Sequence, residues 1–163
     1  MTTLPSPQSR TRRSFDSLEQ EVFLSLWRTY DRLRFLEEEL FGRYELTPQQ
    51  YNALRLLRGE HPNKIRTLDL AGRLVSRAPD ITRLLDKLEQ RGLIERDRPA
   101  DNRRVVRVGI TDAGLRLLRE LSDPIRACHV RQLGHLAPKE LNELNTLLHA
   151  ARQPHEEADS RWR

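Results

Sequence analysis

The stretch from Asp80 to Thr111 constrains the fold of this chain more than any other part of the sequence. Its first half predicts an amphipathic helix, DITRLLDKLEQRG, whose inner face carries Ile81, Leu84, Leu85 and Leu88. Gly92 is expected to close that helix. The second half predicts a two-stranded ribbon, Leu93 to Arg96 and Val105 to Ile110, on either side of a charged, proline-containing tip. The fold must therefore join a helix directly to a ribbon that buries little surface by itself.

Two shorter helices are predicted before this stretch. The first begins with Thr47 as N-cap, Pro48 at the first helical position and Gln50 at the capping-box position, and Gly59 is expected to end it. The residues EHPNKIR then form a loop. The second helix, TLDLAGRLV, is expected to start from a cap at Thr67 and to bury Leu68, Ala71, Leu74 and Val75. Helix, short turn and helix is the helix-turn-helix arrangement, and a ribbon attached directly to it is a wing.

Longer helical patterns flank this unit. From Phe15 onward apolar residues recur at three- and four-residue steps, and Phe23, Trp27 and Tyr30 add a second stripe. A helix with two apolar stripes has two packing partners, one of which could be a second copy of the chain. After the ribbon, a helix capped by Thr111 is expected to be kinked or interrupted at Pro124, and a last helix starts near Pro138. The polar ends, residues 1–14 and 153–163, are expected to be flexible tails.

The excess positive charge lies in one segment. From Lys64 to Arg107 there are 12 basic and 7 acidic residues, a balance of +5, whereas the 17 basic and 17 acidic residues elsewhere cancel. Concentrated positive charge is typical of a surface that binds a phosphate backbone or an anionic membrane. The simpler alternative is a solvated basic face without a ligand. Arginines at a wing tip are well placed to enter a DNA minor groove, which favours DNA as the partner.

Several other classes of protein are disfavoured. The single cysteine, Cys128, excludes an internal disulfide, and no apolar run reaches the roughly eighteen residues of a membrane helix. The basic N-terminus lacks the apolar stretch of a signal peptide, so we expect a cytoplasmic protein with no membrane contact. The sequence has no phosphate-binding glycine loop, no activated nucleophile and no metal-ligand cluster. We therefore expect no enzymatic activity, no cofactor and no metal.

The order of these elements resembles the multiple-antibiotic-resistance regulator (MarR) family of bacterial winged helix-turn-helix repressors. Four segments carry the resemblance, in the family's order and nearly its spacing: LTPQQYNALRLL, LDLAGRLV, ITRLLDKLEQRGLIER and NRRVVRVGITDAG. The resemblance is strong from about Leu46 to Leu118 and extends to the flanking helices by pattern. Its most specific part runs from Leu84 to Gly114.

The resemblance implies a mainly α fold with a small β-ribbon. A winged helix-turn-helix DNA-binding domain at residues 46–111 would be joined to dimerisation helices at residues 15–45 and 112–152. It further implies a homodimeric transcriptional repressor that binds double-stranded DNA at a pseudo-palindromic operator, with its two winged domains about one DNA turn, roughly 34 Å, apart. The residues selected for DNA contact are Ser76, Arg77, Thr82, Arg83, Lys87, Arg98, Arg103 and Arg104.

These residues have different expected roles. Lys87 is expected to meet a phosphate, and the major-groove face is expected to consist of Ser76, Arg77, Thr82 and Arg83. Two acidic neighbours, Asp80 and Asp86, cannot approach phosphates favourably and are expected to orient nearby arginines. Each arginine also has the simpler interpretation of a solvated side chain.

The wing tip departs from the family pattern, which usually has Asp-x-Arg. Counting back from Thr111, the Asp position holds Asn102 and the Arg position holds Arg104; counting from Asp101 selects Arg103 instead. Both arginines therefore remain candidates for the minor groove. An Asn partner is expected to hold its arginine through a neutral hydrogen bond, weaker than a charge-assisted one.

The resemblance also implies a small aromatic ligand, bound between the dimer helices and the winged domain, that releases the DNA. Trp27, Tyr30 and Tyr51 could line such a cleft, although aromatic residues at helical spacing are more often core. Cys128 is expected to be a buried small residue rather than a redox sensor. The rival function is a winged-helix protein-interaction module that does not bind DNA. The position of the excess positive charge, across the predicted recognition helix and wing, favours DNA.

Overall fold

The computed structural model describes residues 15–76, 80–156 and 160. Its elements in chain order are α1 (Leu18–Gly42), α2 (Pro48–Glu60), β1 (Ile65–Arg66), α3 (Thr67–Arg73), α4 (Ile81–Gln90), β2 (Ile94–Asp97), β3 (Arg107–Ile110), α5 (Asp112–Glu120), α6 (Ser122–Leu133) and α7 (Pro138–Arg152), followed by a 3-10 turn, Gln153–His155. The predicted fold class, mainly α with a small β-ribbon, is confirmed. The predicted tail at residues 1–14 lies outside the described residues.

The core is formed where α2, α3, α4 and the small sheet meet. Its fully buried side chains are Leu54, Leu57, Leu70, Leu85, Leu88, Ile94, Val108 and Leu121. Burying one such aliphatic side chain stabilises a fold by roughly 1.5–3 kcal/mol, so this cluster fixes the helix-turn-helix against the ribbon. Leu85 and Leu88 belong to the predicted inner face of α4, while Ile81 and Leu84 are half-buried at its margin.

Helix α2 begins as predicted but ends later. Thr47 Oγ1 accepts from the Gln50 N–H at 3.2 Å, and the Gln50 side chain accepts from the Thr47 N–H at 2.9 Å, which completes the capping box. The prediction that Gly59 ends the helix is wrong, because α2 continues to Glu60. His61 stops it instead: a residue that precedes proline is driven out of the helical region, and His61 has φ −56° and ψ 135°.

The second predicted helix differs in its cap and its buried face. Arg66 is the N-cap of α3, and Thr67 Oγ1 donates to the Val106 carbonyl oxygen at 3.2 Å rather than capping the helix. Leu70 and Leu74, four residues apart, are buried, whereas Leu68 is 82% exposed and Val75 is 64% exposed. The prediction that Leu68 and Val75 face the core is therefore wrong. This seven-residue helix follows directly on β1, and its connection to the sheet determines which of its side chains face the core.

The ribbon is part of a three-stranded antiparallel sheet in the order β1-β3-β2. Strand β1, predicted as loop, pairs Ile65 with Val108 and Arg66 with Arg107. Strand β2 pairs Ile94 with Ile110 and Asp97 with Arg107, so β2 is shifted by one residue from the predicted Leu93 to Arg96, and β3 is shorter than the predicted Val105 to Ile110. Gly92 has φ +67°, in the left-handed region, and closes α4 as predicted.

The chain between the wing and α7 is broken in two. Helix α5 ends at Glu120 and α6 begins at Ser122, which confirms the predicted interruption near Pro124. A proline ring clashes with the carbonyl of the residue four positions earlier, here Glu120, so a single continuous helix is disfavoured. The expected tail at residues 153–163 is wrong in its first part, because Gln153–His155 forms a 3-10 turn and Arg152 Nε lies 3.1 Å from Glu156 Oε1.

The chain divides into a first compact unit that ends at Arg34 and a second that starts at Phe35. Helix α1 runs across this division. In the first unit, seven large apolar residues of α1 are exposed: Leu18, Val22, Phe23, Leu24, Leu26, Trp27 and Tyr30. In the second unit, Phe35 of α1 and Leu147 and Leu148 of α7 are exposed as well. Large apolar side chains left exposed at this density are typical of helices that pack against another molecule.

Candidate nucleic-acid interface

Helix α4 presents one apolar face to the core and one polar face to solvent. Asp80 is its N-cap, with Oδ1 accepting from the Arg83 N–H at 2.8 Å, which satisfies a backbone donor at the start of the helix. The exposed face carries three of the selected residues, Thr82, Arg83 and Lys87. Ser76 is also exposed, in the turn that precedes α4, and Arg77 lies outside the described residues.

The wing tip is closed by hydrogen bonds to its own backbone. Asn102 Oδ1 accepts from the Arg104 N–H at 3.2 Å, and Arg98 Nη1 donates to the Arg103 carbonyl oxygen at 3.0 Å. The expectation that Asn102 holds an arginine side chain is therefore wrong, since it binds backbone. A short amide side chain two residues before an N–H closes an Asx-type turn. Arg103 and Arg104, whose backbone takes part in this turn network, are both exposed.

Most basic side chains in the Lys64–Arg107 segment are bound by the protein itself. Arg91 donates to the carbonyl oxygens of Tyr44 and Glu45 at 3.1 and 2.7 Å. Ion pairs hold five others, Lys64, Arg66, Arg73, Arg96 and Arg107. Within the described part of the segment, four cationic side chains make no hydrogen bond or ion pair: Arg83, Lys87, Arg103 and Arg104. All four belong to the set selected from sequence.

A concave groove of about 850 Å³ separates α4 from the wing. Thr82 and Glu89 line it from α4, Arg98 and Arg104 from the wing, and Leu68 from α3. The structure thus brings Thr82, Arg98 and Arg104 together around one groove. The other selected residues, Ser76, Arg83, Lys87 and Arg103, are exposed but do not line it. Leu68 was expected in the core and instead faces this groove.

Two carboxylates near the groove are neutralised by one arginine. Arg96 Nη2 lies 2.6 Å from Asp86 Oδ1 and also contacts Glu89 Oε2, while Arg96 Nε donates to Glu89 Oε2 at 3.0 Å. Hydrogen bonding to Arg96 lowers the pKa of Glu89. The expectation that Asp86 orients a neighbouring arginine is confirmed, whereas Asp80 binds the backbone of Arg83. Arg96 was not singled out from sequence, because its partners lie on a different element.

The fold and this arrangement can be compared with known proteins. A sequence model of the MarR family matches residues 46–106, from α2 to the wing. A MarR transcription factor from Planctomyces limnophilus, known from its crystal structure, is 58% identical to this chain, covers 83% of it and 98% of its own chain, and has a TM-score of 0.68. The chain belongs to the MarR family.

Two further proteins are similar to this MarR-family chain. The transcriptional repressor MprA of Escherichia coli (strain K12) is 26% identical over 140 residues, which are 85% of this chain and 80% of MprA. BpsR of Bordetella bronchiseptica, whose DNA binding is regulated by 6-hydroxynicotinic acid, shares the fold with a TM-score of 0.74 at 21% identity, over 88% of this chain and 99% of BpsR. The MarR-family chain is accordingly a transcriptional regulator.

A second cavity of this MarR-family chain lies among α2, α5, α6 and α7. Its volume is about 600 Å³, and one of the predicted ligand residues, Tyr51, lines it. Tyr51 is half-buried and stacks on Phe41 with ring centroids 4.8 Å apart. Trp27 and Tyr30 are 63% and 61% exposed on the part of α1 that belongs to the first unit.

Arginine and histidine residues that were not selected from sequence for a ligand site line the same cavity. Arg55 and Arg58 reach it from α2, and Arg126 and His129 reach it from α6, beside apolar walls that include Leu118 and Ile125. His129 Nδ1 lies 2.8 Å from Gln132 Oε1. Tyr51, Arg55 and Arg58 stand at four- and three-residue steps, a signal that was present in the sequence. The residues from α6 could be assigned only once the helices were packed.

Cys128 is buried, and the described helices are too short or too polar to cross a membrane. Cys128 is 5% exposed, and burial raises the pKa of its thiol, which confirms the expectation of a buried small residue. None of the helices in the described residues has the length and apolarity that crossing a bilayer requires.

Proposed function

We propose that this chain binds double-stranded DNA sequence-specifically through its winged helix-turn-helix. One observation carries the proposal: in the described part of the basic segment, the cations that make no internal hydrogen bond or ion pair lie on α4 and at the wing tip, the two elements that border one groove. A helix in a major groove and a wing in the adjacent minor groove straddle one sugar-phosphate strand, which a groove of this kind accommodates. Cations with no internal partner are the ones that can neutralise its phosphates without losing an ion pair.

Each residue has a proposed role in that complex. Thr82 and Arg83, together with Ser76 and Arg77, face base edges in the major groove, where Arg can bind guanine through two hydrogen bonds. Lys87 binds a phosphate. Arg103 and Arg104 supply the minor-groove contact, and Arg98 holds the turn that presents them.

We further propose a homodimer on a pseudo-palindromic operator. The exposed apolar residues of α1 and α7 supply the surface that a second copy would cover. The proposed division of the chain is a dimerisation region at residues 15–45 and 112–152 and a DNA-binding domain at residues 46–111. Two-fold symmetry then sets two recognition helices roughly 34 Å apart, the spacing of successive major grooves on one DNA face.

The proposed mode of action is repression that a small ligand releases. MprA supports repression by its name, and BpsR is a protein of the same fold whose DNA binding responds to an aromatic acid. The cavity beside Tyr51 combines apolar walls with arginines, which suits a small aromatic molecule. Trp27 and Tyr30 are the proposed contributors from α1. The activity is binding rather than catalysis, and a regulator of this kind would act in the cytoplasm, beside the chromosome.

The second candidate function is a protein-interaction module that uses the winged helix without DNA. The exposed Leu68 and Val75 favour it, since apolar residues on the helix-turn-helix suit a protein partner. It gives no role to the unpaired cations on α4 and the wing tip. DNA binding is therefore the preferred proposal.

Selection from a random duplex library tests the proposal. The purified chain is expected to enrich an inverted repeat whose half-sites are about 10 base pairs apart from centre to centre. Arg83→Ala is expected to relax the base preference within a half-site of the enriched duplex. Lys87→Ala should weaken binding to all duplexes by the same factor. Lys139→Ala, on α7 at 87% exposure, is the control that should change neither. Recovery of unenriched sequence after several rounds would favour the protein-interaction module.

A further inference from the structure

Lys64 belongs to the basic segment, but its ammonium group is bound by two carboxylates of the sheet. It precedes β1, and the pairing of Ile65 with Val108 brings Lys64 opposite Gly109 on the central strand. Gly109 in turn pairs with Glu95 of β2. Lys64, Gly109 and Glu95 therefore form one row across the three strands, with a residue that has no side chain in the middle.

Gly109 gives the Lys64 side chain a path across the sheet. A Cβ on Gly109 would stand 2.8 Å from Lys64 Cγ, closer than non-bonded carbon atoms approach. The aliphatic stem of Lys64 thus lies directly on the glycine. Its ammonium reaches the far strand, where Nζ is 2.8 Å from Glu95 Oε1 and 3.0 Å from Asp97 Oδ2.

Asp97 is shared between two cations at the base of the wing. Its second oxygen, Oδ1, accepts from Arg107 Nε at 3.1 Å. Asp97 and Arg107 are also paired across the strands and form the last rung before the tip. Glu95 and Asp97 raise the pKa of Lys64, and Lys64 with Arg107 lowers the pKa of Asp97, so Lys64 and Asp97 stay charged at neutral pH.

We propose that Lys64 is a positioning residue that sets the direction in which the wing tip leaves the sheet. Lys64, Glu95, Asp97 and Arg107 are called the wing clamp below. Beyond its last rung, the described residues of the tip make their own turn hydrogen bonds, and the Val106 carbonyl oxygen accepts from Thr67 at the start of α3. The clamp holds the two strands from which Arg103 and Arg104 project, and we infer that it determines where these arginines point. The inference rests on the proposed DNA binding: Lys64 acts on the duplex through those arginines and does not touch it.

Asp97→Asn distinguishes an effect of the clamp on the position of the tip arginines from an effect of net charge on DNA affinity. Removal of a carboxylate beside DNA strengthens binding when only charge matters, because the net positive charge rises. Loss of the clamp weakens binding instead, because the tip arginines lose their alignment. We expect Asp97→Asn to weaken affinity for the enriched duplex about tenfold, and Lys64→Met to do the same. Asp101→Asn, an exposed carboxylate at the tip, is the matched control and should leave affinity equal or tighter.

A double-mutant cycle gives the second readout. Anisotropy is measured for Lys64→Met, for Arg103→Ala with Arg104→Ala, and for the combination. If Lys64 acts by positioning, Lys64→Met should cause little further loss of affinity once the tip arginines have been replaced. Lys64→Arg should retain much of the affinity that Lys64→Met loses. Circular dichroism checks folding of every variant, and Asp97→Asn carries the test if Lys64→Met does not fold.

The outcomes distinguish failure of DNA binding from failure of the wing clamp. If the unmodified chain binds no duplex, the proposed function fails and the inference fails with it. If the unmodified chain binds and Asp97→Asn binds as tightly as Asp101→Asn, the inference alone is overturned. Additive losses for Lys64→Met and the tip variant would mean a direct phosphate contact by Lys64, which also overturns it.

Discussion

Arg96 is the single residue on which the charge of the candidate interface depends most. It binds both Asp86 and Glu89, and its own side chain is only 22% exposed. Replacement by methionine keeps most of the stem but leaves two carboxylates beside the groove without a partner. We expect Arg96→Met to weaken DNA binding by about five- to tenfold and to lower the free energy of unfolding by about 1 kcal/mol.

The matched control for this prediction is Arg119→Met, an equal change of charge at an exposed position on α5. Anisotropy titrations of both variants on the enriched duplex give the comparison. Equal affinities for Arg96→Met and Arg119→Met would show that the two carboxylates do not reach the DNA.

The same arginine predicts a pH dependence of stability. Arg96 lowers the pKa of Glu89, and a carboxyl whose pKa is lower in the folded state stabilises the fold above its unfolded pKa, of about 4.3. That stabilisation is lost as the pH falls through the folded pKa. Urea unfolding from pH 7 to pH 3 should therefore show a difference between parent and Arg96→Met that is constant near neutrality and shrinks in acid. A difference that persists undiminished at pH 3 would contradict the ion pair as its cause.

At the scale of elements, the first turn of α5 fixes how the wing is anchored. A Cβ on Gly114 would stand 2.3 Å from the Leu93 carbonyl oxygen and 2.6 Å from Ile110 Cγ1, so this turn touches the base of the ribbon directly. Thr111 adds to the joint, because its Oγ1 donates to the Gly92 carbonyl oxygen at 2.6 Å and accepts from the Gly114 N–H at 3.2 Å. The joint requires glycine for space rather than for a positive φ.

Substitution of two helical glycines by alanine should therefore change the free energy of unfolding in opposite directions. Gly114→Ala is expected to lower the free energy of unfolding by roughly 1–3 kcal/mol, because the added methyl overpacks the joint. Gly59→Ala, in α2 with nothing within 4 Å of the new methyl, should raise it by up to about 1 kcal/mol, since alanine is the better helix former. Urea unfolding of both variants measures the difference. Stabilisation by Gly114→Ala would show that α5 is not seated on the ribbon.

The elements that sequence predicted well are those specified by local chemistry. The capping box at Thr47, the αL turn at Gly92 and the interruption near Pro124 each follow from residues within one turn of the chain. The errors depended on distant residues. Strand β1 has only two residues and exists because β3 is beside it, and the same pairing shifts the phase of α3 and exposes Leu68. The ion pairs of Arg96 and Lys64 likewise join elements that sequence spacing does not bring together.

At the scale of the whole molecule, the exposed apolar side chains of α1 predict self-association. Trp27, at 63% exposure, lies in the middle of that surface. We expect Trp27→Glu to convert a dimer into a monomer and to weaken operator binding at least tenfold, because each half-site then binds without help from the other. Light scattering coupled to size exclusion measures the mass. Val75→Glu, at 64% exposure outside α1, is the control that should remain dimeric. A parent protein that is monomeric at micromolar concentration would contradict the dimer.

DNA binding is tested by fluorescence anisotropy of the unmodified chain on the duplex upstream of its own gene, against a scrambled duplex, across a salt series. We expect a preference of about a thousandfold or more for the upstream duplex. We also expect affinity to fall steeply as salt rises, because several phosphates are neutralised by arginine and lysine. Failure to bind either duplex, even at low salt, would contradict the central claim that the basic helix and wing form a DNA-binding surface.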